Sequence, residues 1–182
     1  MSMLDGVDYV DSAGVPGFKV TSDKEVVVMY VSASWCPPCQ VFTPMLVDMY
    51  HSLIDKHVLE ADDPDTATMP FEVVLVSVDA NEDDMMSYMT KYQMPWLAAA
   101  YDDRPHLFGR LGEIQEIPTV FVVDTKNSRV LSKNARNDLL KEGSVMFDKW
   151  LAESRGQEWV DPDDPDKDHP YPLMKKLDSF KL

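Results

Sequence analysis

Cysteine is scarce. There are two in 182 residues, Cys36 and Cys39. A loop that short constrains too little of the unfolded chain to serve as a staple, so a disulfide framework is excluded. Basic residues are also few, 17 Lys and Arg against 32 Asp and Glu, giving a net charge of −15. This balance argues against nonspecific binding to nucleic acid or to an anionic membrane, and it attracts cationic small molecules and basic protein patches. No apolar run is long enough to span a bilayer. The start, Met1-Ser2-Met3-Leu4-Asp5-Gly6-Val7-Asp8, lacks the basic and apolar regions of a secretory signal, and it is acidic where a mitochondrial transit peptide is basic. The expectation is a cytoplasmic protein in a reducing compartment, with neither nucleic acid nor membrane as partner. The four histidines, His51, His57, His106 and His169, are scattered, so a zinc site would lack its second ligand pair and no metal is expected. Gly109 and Gly112 follow no strand and make no phosphate-binding loop.

The length fits one domain with a tail. Glu25 to Ser32 and Phe71 to Val78 are short, nearly continuous apolar runs and read as strands buried on both faces. Between them, Val41, Phe42, Met45, Leu46, Met49, Tyr50, Leu53 and Ile54 recur at helical spacing over Pro38 to Val58. Strand, helix and strand in that order imply a parallel pair with a right-handed crossover. A second helix is predicted over Glu82 to Tyr92, stopped by Pro95, and a short one over Pro105 to Leu111. Thr119 to Asp124 is predicted as a strand, with Arg129-Val130-Leu131 returning antiparallel, and Val145 to Leu151 as a last helix. An extra strand is expected around Phe18-Lys19-Val20. The fold class is α/β, a central mixed sheet with helices on both faces, over residues 1–157 with its core at about 17–152. From residue 158 to 182 the chain is an acidic, Pro-rich tail, whose Tyr171, Leu173, Leu177 and Phe180 are candidates to dock back on the body.

The two cysteines lie in Trp35-Cys36-Pro37-Pro38-Cys39, where the first strand turns into the first helix. Thiol–disulfide exchange needs an accessible thiolate and a second thiol near enough to resolve the mixed disulfide. Cys36 falls near a helix N-terminus, where the macrodipole and free amides stabilise negative charge, so its pKa is expected below the free-thiol value of about 8.5. Cys39, one turn in and partly covered, is the expected resolving thiol. Pro37 suits the first helical turn, and Pro38 removes another donor, leaving the Cys39 and Gln40 amides to face the Cys36 sulfur. The expectation is a moderate depression and a reductant rather than a strong oxidant. A lone Cys-x-x-Cys can also arise by chance or as half of a shared metal cluster; beside a β–α–β pattern the redox reading is the stronger. Pro44 lies inside the helix and should kink it.

Ser32-Ala33-Ser34-Trp35-Cys36-Pro37-Pro38-Cys39 with Phe42-Thr43-Pro44 resembles the tryparedoxin and nucleoredoxin branch of the thioredoxin superfamily. Met94-Pro95-Trp96-Leu97-Ala98 resembles a segment of that branch, Ile117-Pro118-Thr119 its cis-proline loop, and Asn134-Ala135-Arg136 through Gly143 a looser version of its C-terminal region. The resemblance implies a thioredoxin-like fold. It implies catalytic roles for Cys36 as attacking thiol and Cys39 as resolving thiol. It further implies partner-binding roles for Trp35, Pro37, Pro38, Ile117, a cis Pro118, and Trp96, the last with a core or lid role as its alternative. Tyr30 stands where ordinary thioredoxins carry a buried acid. As a core residue it should find a hydroxyl partner. Gln40 stands where tryparedoxins often carry a basic residue, and Val78 where they tend to carry Trp, ahead of Asp79, Glu82, Asp83 and Asp84. An acidic run there reads as a helix cap and solvated face.

The implied activity is that of a thiol–disulfide oxidoreductase acting on protein disulfides such as those of thiol peroxidases. The alternative is a redox-gated binding module of nucleoredoxin type with little turnover. No cofactor is expected beyond the Cys36–Cys39 pair itself, with an external trypanothione-like low-molecular-weight dithiol or a reductase as electron donor, and the protein is expected to work as a monomer.

Overall fold

The computed structural model describes residues 4–18, 24–60, 62–63 and 68–163. Among these, strands β1 (Tyr9–Val10), β2 (Pro16–Phe18), β3 (Val26–Ser32), β4 (Phe71–Ser77), β5 (Leu97–Ala99), β6 (Thr119–Asp124) and β7 (Arg129–Ser132) form one sheet in the order β2-β1-β5-β4-β3-β6-β7. Helices α1 (Pro37–Glu60), α2 (Glu82–Lys91), α3 (Arg104–Leu111), α4 (Ala135–Glu142) and α5 (Val145–Ser154) connect and flank it. β3 runs parallel to β4 and antiparallel to β6, which makes the sheet mixed, as expected.

The side-chain alternation of β3 and β4 divides the core in two. Val26, Val28, Tyr30, Val73 and Leu75 face α1, α2, α4 and α5, packing on Phe42, Leu46, Met85, Tyr88, Leu139, Phe147 and Trp150. Val27, Met29, Val31, Val74 and Val76 face the other way, onto Leu107 and Leu111 of α3 and onto Leu4, Val7 and Tyr9. All seven β3 residues are buried, which is why that run lacks the alternation of a half-exposed strand.

The structure differs from the sequence expectations at the ends and in the short elements. The N-terminal strand is Pro16–Phe18, and Lys19 and Val20 lie outside the described residues. β1, β5 and α4 are additional to the predicted elements. α1 runs through Pro44 to Glu60, two residues past the expected end. Tyr171, Leu173, Leu177 and Phe180 lie outside the described residues.

Candidate functional site

β3 ends at Ser32, and the chain turns through Ala33, Ser34 and Trp35 into α1. The register of β3 on β4 pairs Ser32 with Ser77, so the loops leaving both strands start side by side, and the Val78 N–H donates to the Ser32 carbonyl at 2.9 Å. The loop before β6 arrives from the opposite side, with a cis Ile117–Pro118 bond, as the resemblance implied. Cys36 lies where these meet. It is joined to Cys39 as a disulfide with a Cα–Cα distance of 5.2 Å, and as a disulfide the pair does not titrate.

The amide count expected around the Cys36 sulfur is half met. The Cys39 N–H points at Cys36 Sγ from 3.2 Å. The Gln40 N–H donates instead to the Cys36 carbonyl at 3.1 Å, because that carbonyl begins the i→i−4 ladder of α1. Cys36 Sγ stands 3.7 Å from the Ile117 carbonyl oxygen, which places the cis-proline loop against the reactive sulfur.

Accessibility departs from expectation. Cys36 is only 2% exposed and Cys39 is fully buried, within a small cluster made with Ala33 and covered by Val78 and Ile117. Cys36 Sγ is bonded to the fully buried Cys39, and Val78 and Ile117 pack against the pair. The pair is separate from both halves of the main core. The surroundings stay open: Trp35 is 62% exposed, and Pro37 and Pro38 lie exposed beside it. Trp35, Val78, Phe108, Ile114, Glu116 and Ile117 line a cavity of about 520 Å³ next to the pair. Its wall is mostly apolar.

Trp96 corrects the expectation of a partner contact. It is 2% exposed, edge-on to Tyr30 and Tyr50 at centroid distances of 6.5 and 5.6 Å. Trp96 immediately precedes β5, whose pairing with β4 brings this segment against the core, so the structure supports its core role. His106 is on the surface.

Behind Cys39 four buried hydroxyls form a closed ring that the sequence did not reveal. Ser32 Oγ donates to Tyr30 Oη at 3.0 Å and contacts Tyr88 Oη at 2.9 Å. Thr43 Oγ1 contacts Tyr88 Oη at 2.6 Å and Tyr30 Oη at 2.8 Å. Thr43 Oγ1 also donates to the Cys39 carbonyl at 2.8 Å. Burial pushes the Tyr30 hydroxyl pKa well above its usual range, with neighbouring Tyr88 adding to it, so Tyr30 stays protonated. The signal was available in part: Ser32 and Tyr30 share one face of β3, and Thr43 lies one helical turn beyond Cys39.

Glu82, Asp83 and Asp84 are exposed in the first turn of α2, where the Asn81 side chain accepts from the Asp84 N–H at 2.8 Å. This is the cap and solvated face the run indicated. Asp79, grouped with them by sequence, is different: it is 3% exposed and bonded to the cysteine loop.

The Thioredoxin-like family model matches residues 23–130. The chain belongs to the thioredoxin-like family. Within it, the chain is 35% identical over 120 residues to a tryparedoxin of Trypanosoma brucei brucei, covering 65% of this chain and 74% of that one. It is 32% identical over 153 residues to nucleoredoxin of Bos taurus, covering 83% of this chain but 28% of the relative, so it spans about a quarter of the nucleoredoxin length. A solved structure of tryparedoxin II complexed with glutathionylspermidine is 28% identical, covers 78% of this chain and 93% of its own, and aligns with a TM-score of 0.60. This thioredoxin-like chain is a redox protein of the tryparedoxin and nucleoredoxin type, carrying the Cys36–Cys39 pair at the N-terminus of α1. No helix among the described residues is long and apolar enough to cross a membrane.

Proposed function

We propose that this protein is a dithiol reductase of protein disulfides, with thiol peroxidases as a fitting target class and a low-molecular-weight dithiol or a reductase as donor. The observation that carries the reading is the disulfide seated at a helix N-terminus, with the Cys39 amide 3.2 Å from Cys36 Sγ and the Ile117 carbonyl 3.7 Å away. In the reduced protein, the Cys36 thiolate attacks one sulfur of the target disulfide and forms the mixed disulfide, and the other target sulfur leaves as thiolate. Cys39 loses its proton and attacks Cys36 Sγ, which restores the intramolecular disulfide and releases the target as a dithiol. Two electrons pass to the target, and the donor dithiol returns them in a second exchange. Exposed Trp35, Pro37 and Pro38, with half-buried Ile117, form the surface on which a target rests, while Pro118 is itself buried and acts through the cis bond that shapes the Ile117 loop. Glutathionylspermidine bound to a tryparedoxin II supports a cationic thiol as donor class.

The test is insulin or peroxidase reduction by wild type, Cys36→Ser and Cys39→Ser. Both variants should lose turnover, and Cys39→Ser should accumulate mixed disulfides that identify the targets. Activity surviving Cys36→Ser rejects the assigned nucleophile.

The near-complete cover over Cys36 favours a second reading, a redox-gated binding module. Slow turnover with every donor, together with partner capture by one oxidation state alone, would select it.

A further inference from the structure

Ser34 is the residue before Trp35, and it is held at every polar atom. Its N–H donates to Asp79 Oδ1 at 2.9 Å and its hydroxyl to the same oxygen at 2.7 Å. Its carbonyl accepts the Gln40 side-chain amide at 2.7 Å. The other carboxylate oxygen, Asp79 Oδ2, accepts from the Ser77 hydroxyl at 2.8 Å, and Ser77 Oγ accepts the Asp79 N–H at 2.9 Å. The loop carrying Asp79 is anchored from α3. Buried Arg104 donates to the carbonyls of Ser77 at 2.6 Å and of Asp79 at 3.2 Å, and its guanidinium lies 3.4 Å from the centroid of the Tyr101 ring. The Tyr101 hydroxyl donates to the Asp79 carbonyl at 3.2 Å.

A carboxylate is a costly residue for this place if tethering alone is required, because burying a charge is penalised more than burying an amide. The donors that reach it, two hydroxyls and one main-chain N–H, are all neutral. Cα atoms two residues apart are at most about 7 Å apart, so the charge sits close to Cys36 through Ser34. Its sign opposes that of the α1 N-terminus, which has no acidic residue in its first turn. Among the described residues, Arg104 is bonded behind Asp79, and exposed Glu116 lies on the loop before Pro118. On the Cys39 side the polar groups bonded together among the described residues are the hydroxyls of Tyr30, Ser32, Thr43 and Tyr88. Gln40 is neutral.

We propose that Asp79 is a positioning residue of the dithiol: its carboxylate locks the turn that presents Trp35 and Cys36, and its charge restrains ionisation of the Cys36 thiol. The inference rests on the reading of Cys36 as the attacking thiol. A thiol restrained in this way is the stronger nucleophile once ionised and the weaker oxidant when paired. Gln40, in place of a cation, completes the lock on Ser34 rather than adding charge.

The experiment is alkylation of the reduced protein by iodoacetamide across pH, with modification at Cys36 followed by mass spectrometry. In Asp79→Asn the rate at pH 6 should rise about three- to tenfold, since the helix N-terminus and Arg104 then act unopposed. In Ser77→Ala, which removes one bond and keeps the charge, the pH midpoint should stay at the wild-type value. A folded Asp79→Asn protein with the wild-type profile overturns the proposal. Should that variant not fold, the double variant Ser34→Ala/Gln40→Ala decides: it loosens the turn without altering charge, and should raise the KM for a disulfide target several-fold with an unmoved pH midpoint. An unchanged KM overturns the proposal. If turnover survives in Cys36→Ser, it is the dithiol reading that fails, so the two failures are distinct.

Discussion

Four protons serve the hydroxyl ring of Tyr30, Ser32, Thr43 and Tyr88, while the ring and the Cys39 carbonyl offer at least five contacts to fill. No member can be removed without redirecting the others. Tyr30→Phe should therefore cost about 1–3 kcal/mol, the range for stranding a buried polar partner. Urea denaturation of the reduced and oxidised proteins would measure it, and an unchanged midpoint in both would show that the ring adds nothing. At this scale the sequence was most legible where the chemistry is local. Cys36 and Cys39 were readable from their spacing at a strand-to-helix turn, and Trp35 and Pro118 from the family resemblance. Asp79 was not, because a single acid ahead of Glu82, Asp83 and Asp84 looks like one more member of a helix cap. Only the pairing of Ser32 with Ser77 brings it beneath the cysteine turn. Trp96 misled for the complementary reason: a Pro-Trp pair after a helix looks like a rim, and its burial depends on a strand of three residues that pattern alone does not reveal.

The start of β4 carries an element-scale cost. Glu72 lies partly buried, where its Oε1 accepts from the Tyr50 hydroxyl and the Val73 N–H, each at 2.9 Å. Desolvation raises its pKa above the usual carboxylate value, and the two hydrogen bonds offset this only in part. A carboxyl with a higher pKa folded than unfolded holds its proton more tightly in the native state, so ionised Glu72 destabilises the fold at neutral pH. The penalty fades as pH falls through the folded pKa. Glu72→Gln keeps both acceptor contacts and removes the charge. It should melt at a higher temperature than wild type at pH 7, with the gap closing towards pH 4; a gap independent of pH would refute this cause. Strong elements such as β3, β4, β6, α1 and α2 were evident from apolar runs and helical spacing. α4 was not, since the polar sequence Ala135–Glu142 buries only Ala135 and Leu139, one turn apart. β1 and β5 are two and three residues long and exist because they pair with each other and, through β5, with β4.

Over the whole molecule the charge of −15 has a kinetic signature. A polyamine-linked dithiol should reduce the oxidised protein faster than anionic glutathione, and the ratio should fall as salt rises, because screening shortens the reach of the protein's field to about 10 Å at 0.1 M. Equal rates at low ionic strength would refute electrostatic selection of the donor. The folded sheet adds a second selection that charge does not provide. Val78 and Ile117 lie over a sulfur of which almost nothing meets solvent. With so little of Cys36 exposed, a free thiol colliding at random should react slowly. A reactant that first lodges its apolar part beside Trp35 and shifts the overlying loop should gain access. The oxidised protein should thus sit unreduced in a crowd of small thiols and respond to the visitor that fits, so that contact, rather than abundance, would decide who delivers electrons.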